Sequence, residues 1–266
     1  MADWDKITSK GEVDDRRGQL KNGIAGFGIT GILLLMGVTY LMGGNPLTVL
    51  TQLDPANFTT ETPPEDATQF AGADSYETFA SAVLGSTNDF WRSEFTQTNS
   101  EYTEPILVLF RGNTSSACSG ADSASGPHYC PLDSTIYLDE TFFTELSTSL
   151  GAKGGDVAEA YVIAHEVGHH VQNITGLLDS NDNSIALELQ ADCYAGAWAG
   201  SLKGQGIFEL NEITEAMDAA AAVGDDNIQS RTEGEIHPES WTHGSSKARV
   251  ESFTKGYEQG DSSVCL

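Results

Sequence analysis

Residues 160–175 read Ala-Tyr-Val-Ile-Ala-His-Glu-Val-Gly-His-His-Val-Gln-Asn-Ile-Thr and contain His165-Glu166-Val167-Gly168-His169. Residues four apart on an α-helix lie on one face, one above the other, so the imidazoles of His165 and His169 can converge on a single ion. That spacing points to zinc. Glu166, one residue on from the first histidine, reaches over the metal toward its open coordination position and has the character of a general base. A helical reading of this stretch fixes where the chemistry sits and sets the rest of the chain around it.

Two histidines and a water leave a tetrahedral zinc one ligand short. Leu187-Glu188-Leu189-Gln190-Ala191-Asp192-Cys193 follows after a turn containing Gly176, Asp179, Asn181, Asp182 and Asn183. Glu188 and Asp192 are four apart, on one face of a second helix that is otherwise apolar through Leu187, Leu189, Ala191, Ala195 and Trp198. Carboxylates in such a helix need partners. Glu188 is therefore expected to ligate the metal, and Asp192 to accept the free ring N–H of a ligating histidine and fix its tautomer.

The charge balance excludes one large class of partner. With 13 basic against 39 acidic residues and a net charge of −26, the chain lacks the basic face that nucleic-acid binding needs, and an anionic membrane surface is disfavoured for the same reason. The excess fits adaptation to high salt or an ordinary acidic extracellular protein, and both readings stay open. At 266 residues and 39% apolar content there is room for one substantial domain with appendages.

Residues 1–22 are polar and carry Lys6, Lys10, Arg16, Arg17 and Lys21; they have too little apolar content to fold alone and are expected to form a cytoplasmic tail. Gly23 to Met42 is twenty residues without a charge and is expected to span a membrane once as a helix. The next basic residue is Arg92, so the positive-inside rule puts the N-terminus in the cytoplasm and the remainder outside. Gly43-Gly44-Asn45-Pro46 is a poor cleavage site, which favours an uncleaved anchor over a signal peptide, with a buried helix of a soluble core as the third reading. Residues 43–73, with Pro46, Pro55, Pro63 and Pro64, have linker composition, leaving 74–266 as the folded domain.

That domain is expected to be mainly helical α+β. One or two helices lie between Asp74 and Phe95, then strands at Pro105 to Phe110 and Thr135 to Asp139. Further helices are expected at Thr141 to Leu150, Asp156 to Thr175, Ser184 to Lys203, Glu209 to Ala222 and Ser245 to Gln259. Asp156 with Glu159 reads as a capping box for the motif helix, and Gly176 as its C-cap. Of the four cysteines, Cys118 with Cys130 closes a short loop and Cys193 with Cys265 would tie the C-terminus to the Glu188 helix, if the compartment is oxidising. Zinc binding by Cys118, His128 and Cys130 is the weaker alternative, because a fourth ligand is not evident nearby.

His165-Glu-Val-Gly-His-His-Val-Gln172, Leu187-Glu-Leu-Gln-Ala-Asp-Cys193, Gly224-Asp-Asp226 and Thr242-His-Gly-Ser-Ser246 together resemble the neutral zinc metallopeptidase family of membrane-anchored bacterial and archaeal proteins. The resemblance implies a zincin-like domain with one catalytic Zn2+ on His165, His169 and Glu188, and with Glu166 catalytic. The expected reaction is hydrolysis of peptide bonds in a peptide or protein substrate. Oxyanion stabilisation needs a further donor, for which His243 is the first candidate and Tyr161 and His237 are weaker ones. His170 points some 100° away from His169 and reads as a packing or surface residue. Asp225 and Asp226 read as calcium ligands or helix caps. A catalytically silent zinc-stabilised binding module in the cell envelope is the other function class, but it has little need of Glu166.

Overall fold

The computed structural model describes residues 1–18, 73–118, 120–122, 125–180, 183–209 and 211–265. The apolar stretch Gly23–Met42 and the linker as far as Gly72 lie outside the described residues. Among the described residues, no helix is long and apolar enough to cross a membrane.

The architecture is mainly helical α+β. Its sheet takes the order β1 (Val13–Asp15), β2 (Ile106–Leu109), β6 (Thr135–Leu138), β5 (His128–Cys130). β1 and β6 run parallel to β2, with Val13 beside Leu107 and Ile106 beside Thr135, while β5 runs antiparallel to β6 with Tyr129 beside Ile136. β2 and β6 are central and buried, which is why Ile-Leu-Val-Leu and Thr-Ile-Tyr-Leu read as short β-rich runs rather than as alternating strands. A two-stranded ribbon of β3 (Asn113–Thr114) and β4 (Ala121–Asp122) completes the β structure described.

The helices are α1 (Ser75–Gln97), α2 (Phe142–Thr148), α3 (Asp156–Ile174), α4 (Leu177–Ser180), α5 (Ser184–Ser201), α6 (Ile213–Ala222), α7 (Asp225–Thr232) and α8 (Ser246–Gln259). α3 carries the histidine motif and lies at the centre of the core, with Ala160, Ile163 and Val167 fully buried. Its axis approaches α5 so closely that a Cβ added to Gly168 would sit 3.0 Å from the Ala191 Cα. Glycine at that position therefore sets the separation between the helix bearing the two histidines and the helix bearing Glu188.

Asn183 and Ser245 cap α5 and α8 through their side-chain oxygens, which accept from the Ala186 and Ala248 amides. The structure pairs Cys118 with Cys130 and Cys193 with Cys265, so the first pair is a disulfide and not part of a zinc site.

Three expectations are corrected. The opening residues do not form a separate tail: Met1–Arg16 belong to the same compact unit as the chain from Ala73 onward, because β1 finds hydrogen-bonding partners on the free edge of β2. The capping box at Asp156 is absent. Gly155 is the N-cap, without a side-chain bond, and the Asp156 carboxylate is taken up by Ala2 and Trp4 instead. The helix expected from Glu209 starts only at Ile213, and α7 was not expected as a helix.

Candidate metal centre

α3 places His165 and His169 one turn apart, and α5 brings Glu188 across from them. The Glu188 carboxylate lies 3.2 Å from His165 Nε2 through Oε2 and 3.3 Å from His169 Nε2 through Oε1. One ligand atom from each of the three side chains lies within 4.8 Å of the others, a grouping that can hold a metal ion. Two neutral imidazole nitrogens and one carboxylate oxygen form a zinc-type donor set that leaves a fourth position open, so the residues fit the ion.

The other ring nitrogens are both engaged. His165 Nδ1 lies 2.9 Å from Asp192 Oδ1, and His169 Nδ1 lies 2.9 Å from Gln172 Oε1. Acceptors at both Nδ1 positions hold the protons there and leave both Nε2 lone pairs for a metal. Gln172 is fully buried and is itself fixed by α5, donating from Nε2 to the Leu187 carbonyl at 2.7 Å and to Gln190 Oε1 at 3.1 Å. One histidine is thus oriented from α5 by a side chain, the other through a glutamine anchored on the α5 backbone.

Asp192 is completely buried and carries more partners than His165 alone. Tyr161 donates its hydroxyl to Oδ1 at 2.5 Å, and Arg249 on α8 donates to Oδ2 from Nε at 2.8 Å and to Oδ1 from Nη2 at 3.0 Å. Burial pushes the Asp192 carboxyl up, but the charges of Arg249 and His165 outweigh it and hold the group below the usual aspartate range. Burial likewise opposes ionisation of Glu188, and hydrogen bonds from the two histidines reverse that and hold it well below the usual range. His165 is lowered by burial and raised more strongly by Asp192 and Glu188, to about 10. A bound cation would take the place of that proton.

Glu166 is 6% exposed and lines a cavity of about 500 Å³ together with His165, His169 and Glu188. The lining is also apolar in part, through Phe142, Leu150, Val162, Val223 and Ile228. His243 lines the same cavity and is held there by Asp225. Asp225 Oδ2 accepts the Thr242, His243 and Gly244 amides at 2.9, 2.7 and 2.8 Å, while Oδ1 lies 3.1 Å from His243 Nδ1. Asp226 Oδ1 accepts both the amide and the hydroxyl of Ser246 at 2.7 Å. The two aspartates thus act as acceptors for the 242–246 turn and the start of α8.

The weaker candidates separate. Tyr161 lines the cavity but gives its hydroxyl to Asp192, whereas His237 stands half exposed beside Glu235 and Glu239, away from the cavity lining. His170 is fully buried, with Nδ1 3.0 Å from the Tyr129 hydroxyl and Nε2 2.6 Å from the Thr103 carbonyl, so it packs the core. Sequence reading missed Arg249 and Gln172. Gln172 had one available signal, its position three residues after His169 on the same helix.

A family model described as "Putative neutral zinc metallopeptidase" matches residues 2–266. The uncharacterized protein YpfJ of Escherichia coli K12 is 41% identical over 200 residues, covering 70% of this chain and 69% of that protein. The uncharacterized protein Rv2575 of Mycobacterium tuberculosis H37Rv is 46% identical over 182 residues, covering 62% of each. No solved structure matches. With a family match over nearly its whole length, the chain belongs to the neutral zinc metallopeptidase family.

Proposed function

We propose that this chain is a zinc-dependent peptidase with a zincin-like domain, hydrolysing peptide bonds with Glu166 as the proton-transfer group. One observation carries the reading: the convergent His165, His169 and Glu188 set shares its cavity with a carboxylate that is not part of that set. A zinc ion held by His165, His169 and Glu188 would supply a Lewis acid and a water acidic enough to ionise near neutral pH. Glu166, which lines the same cavity outside that set, would take up a proton from the attacking water and return it to the departing amine. Its oxygens make none of the bonds that orient the histidines, so its position is unneeded for a purely structural metal site.

His243 is the candidate donor toward developing negative charge on the substrate carbonyl. Asp225 Oδ1 accepts from Nδ1–H and fixes the ring at the cavity wall, so the ring would donate to the substrate from Nε2–H in its doubly protonated form. The apolar walls favour a substrate that presents an apolar side chain next to the reacting bond. The two disulfides support a domain that works in an oxidising, extracytoplasmic compartment, and the uncharged Gly23–Met42 stretch supports attachment to a membrane. Cleavage of an unfolded protein such as casein, with zinc content measured alongside for wild type and Glu166→Gln, tests the reading. Equal cleavage by both would overturn it.

A further inference from the structure

The opening residues are built into the body that carries the metal centre. The Leu107 amide donates to the Glu12 carbonyl at 3.0 Å and the Arg16 amide to the Leu109 carbonyl at 2.7 Å, which places β1 in register along β2. Just before it, the Gly11 amide donates to the Ser81 carbonyl and the Ser81 hydroxyl to the Gly11 carbonyl, both at 2.8 Å. α1 admits this backbone only because Gly85 has no side chain: a Cβ there would lie 2.6 Å from the Lys10 nitrogen. Ile7 is buried in the main core, and the Trp4 ring meets Phe79 edge-on at 5.3 Å.

The same segment reaches the start of the histidine helix. Asp156 opens α3, and its Oδ2 accepts from both the Ala2 amide and Trp4 Nε1 at 2.8 Å. The cations that suggested a cytoplasmic flank are partly used inside this fold. Lys6 donates to the Gly206 carbonyl at 2.5 Å, and Arg16 pairs with Asp14 at 2.8 Å and reaches Thr114 at 3.3 Å. Charges committed to a folded domain do not report orientation as free loop charges do.

Paired strands stand about 5 Å apart, whereas the apolar layer of a bilayer is about 30 Å thick. A chain that crossed once between these two parts would separate β1 from β2 and Trp4 from Asp156. We infer that Met1–Arg16 and the chain from Ala73 onward lie on the same side of any membrane to which the protein is attached. This replaces the expected single crossing between a cytoplasmic N-terminus and an external domain. It also means that a fragment starting after residue 16 lacks a strand of its own sheet and two donors to Asp156.

The test uses the full chain in intact cells. All four cysteines are in disulfides, so Thr8→Cys and Glu239→Cys, both at exposed positions, each introduce a single thiol. Each variant is treated with a membrane-impermeant maleimide before and after permeabilisation. The inference expects the two thiols to behave alike, both labelled in intact cells or both labelled only after permeabilisation. Labelling of one and protection of the other in intact cells would overturn it. Asp5→Cys and Ser100→Cys, also exposed, replace any variant that fails to accumulate.

Discussion

Arg249 on α8 and Asp192 on α5 form an ion pair directly behind His165, with Nε and Oδ2 2.8 Å apart and side chains 3% and 0% exposed. A carboxylate this deep is tolerable only with a partner of opposite charge and full hydrogen bonding. The pair therefore explains how the acceptor for a ligating histidine stays ionised where water does not reach.

Removing one partner leaves an uncompensated buried charge. Arg249→Met should lower stability by about 3–5 kcal/mol, measured by denaturant unfolding at fixed zinc. Replacing both, as Arg249→Met with Asp192→Leu, should recover much of that stability. The double variant should still bind zinc weakly, because His165 then has no acceptor at Nδ1.

The two ring acceptors should behave alike toward the metal even though they differ in charge. Asp192→Ala and Gln172→Ala should each weaken zinc binding by roughly 10- to 100-fold, read by competition with a chelating dye. His165→Ala, His169→Ala and Glu188→Ala each remove a ligand atom and should lose stoichiometric zinc. Retention of full zinc by Glu188→Ala, with its loss in Asp192→Ala, would exchange the roles of the two carboxylates.

The legible parts of this site were those governed by local spacing. His165, Glu166 and His169 follow from the helical repeat alone, and Glu188 with Asp192 from the same repeat in a helix too apolar to leave carboxylates unpartnered. Arg249 could not be read in this way. An isolated arginine in Ser246–Gln259 looks like a solvated residue until α8 packs on α5 and turns it inward. β1 was illegible for a related reason. Val13-Asp14-Asp15 has no apolar alternation, and it becomes a strand because the edge of β2 offers it hydrogen bonds. Asp225 was noticed, but its purpose depends on a turn 17 to 19 residues further along the chain.

That turn gives a prediction that separates turnover from metal binding. His243→Ala should lower kcat by roughly 10²- to 10³-fold, as loss of a single oxyanion donor does, while zinc content stays at wild-type level. Asp225→Ala should lower kcat as well and also make the 241–244 segment easier to nick with added protease, since three backbone amides lose their acceptor.

Glu159, on α3 before the motif, gives a pH prediction independent of the metal. Burial pushes its carboxyl up to about 7, against a hydrogen bond from Tyr76, with Asp156 and Glu140 adding to the rise. A carboxyl with a raised folded-state pKa binds more protons folded than unfolded, so its ionisation costs stability as pH rises from about 4.5 to about 7. Glu159→Gln should therefore gain stability relative to wild type as pH rises over that window. Paired denaturant melts at pH 5 and pH 7.5 check the sign, and a constant difference between the two proteins would contradict it.

The central claim is that this cavity performs hydrolysis and that Glu166 moves the proton. Glu166→Gln keeps every hydrogen bond and ligand atom that holds the metal set together, and changes only a group able to accept a proton. The decisive measurement is single-turnover cleavage of a protein substrate by the full chain and by Glu166→Gln, with bound zinc quantified in the same samples. The account predicts one zinc per chain in both and loss of most of the cleavage in the variant. Cleavage at the wild-type rate by a fully zinc-loaded Glu166→Gln would contradict it.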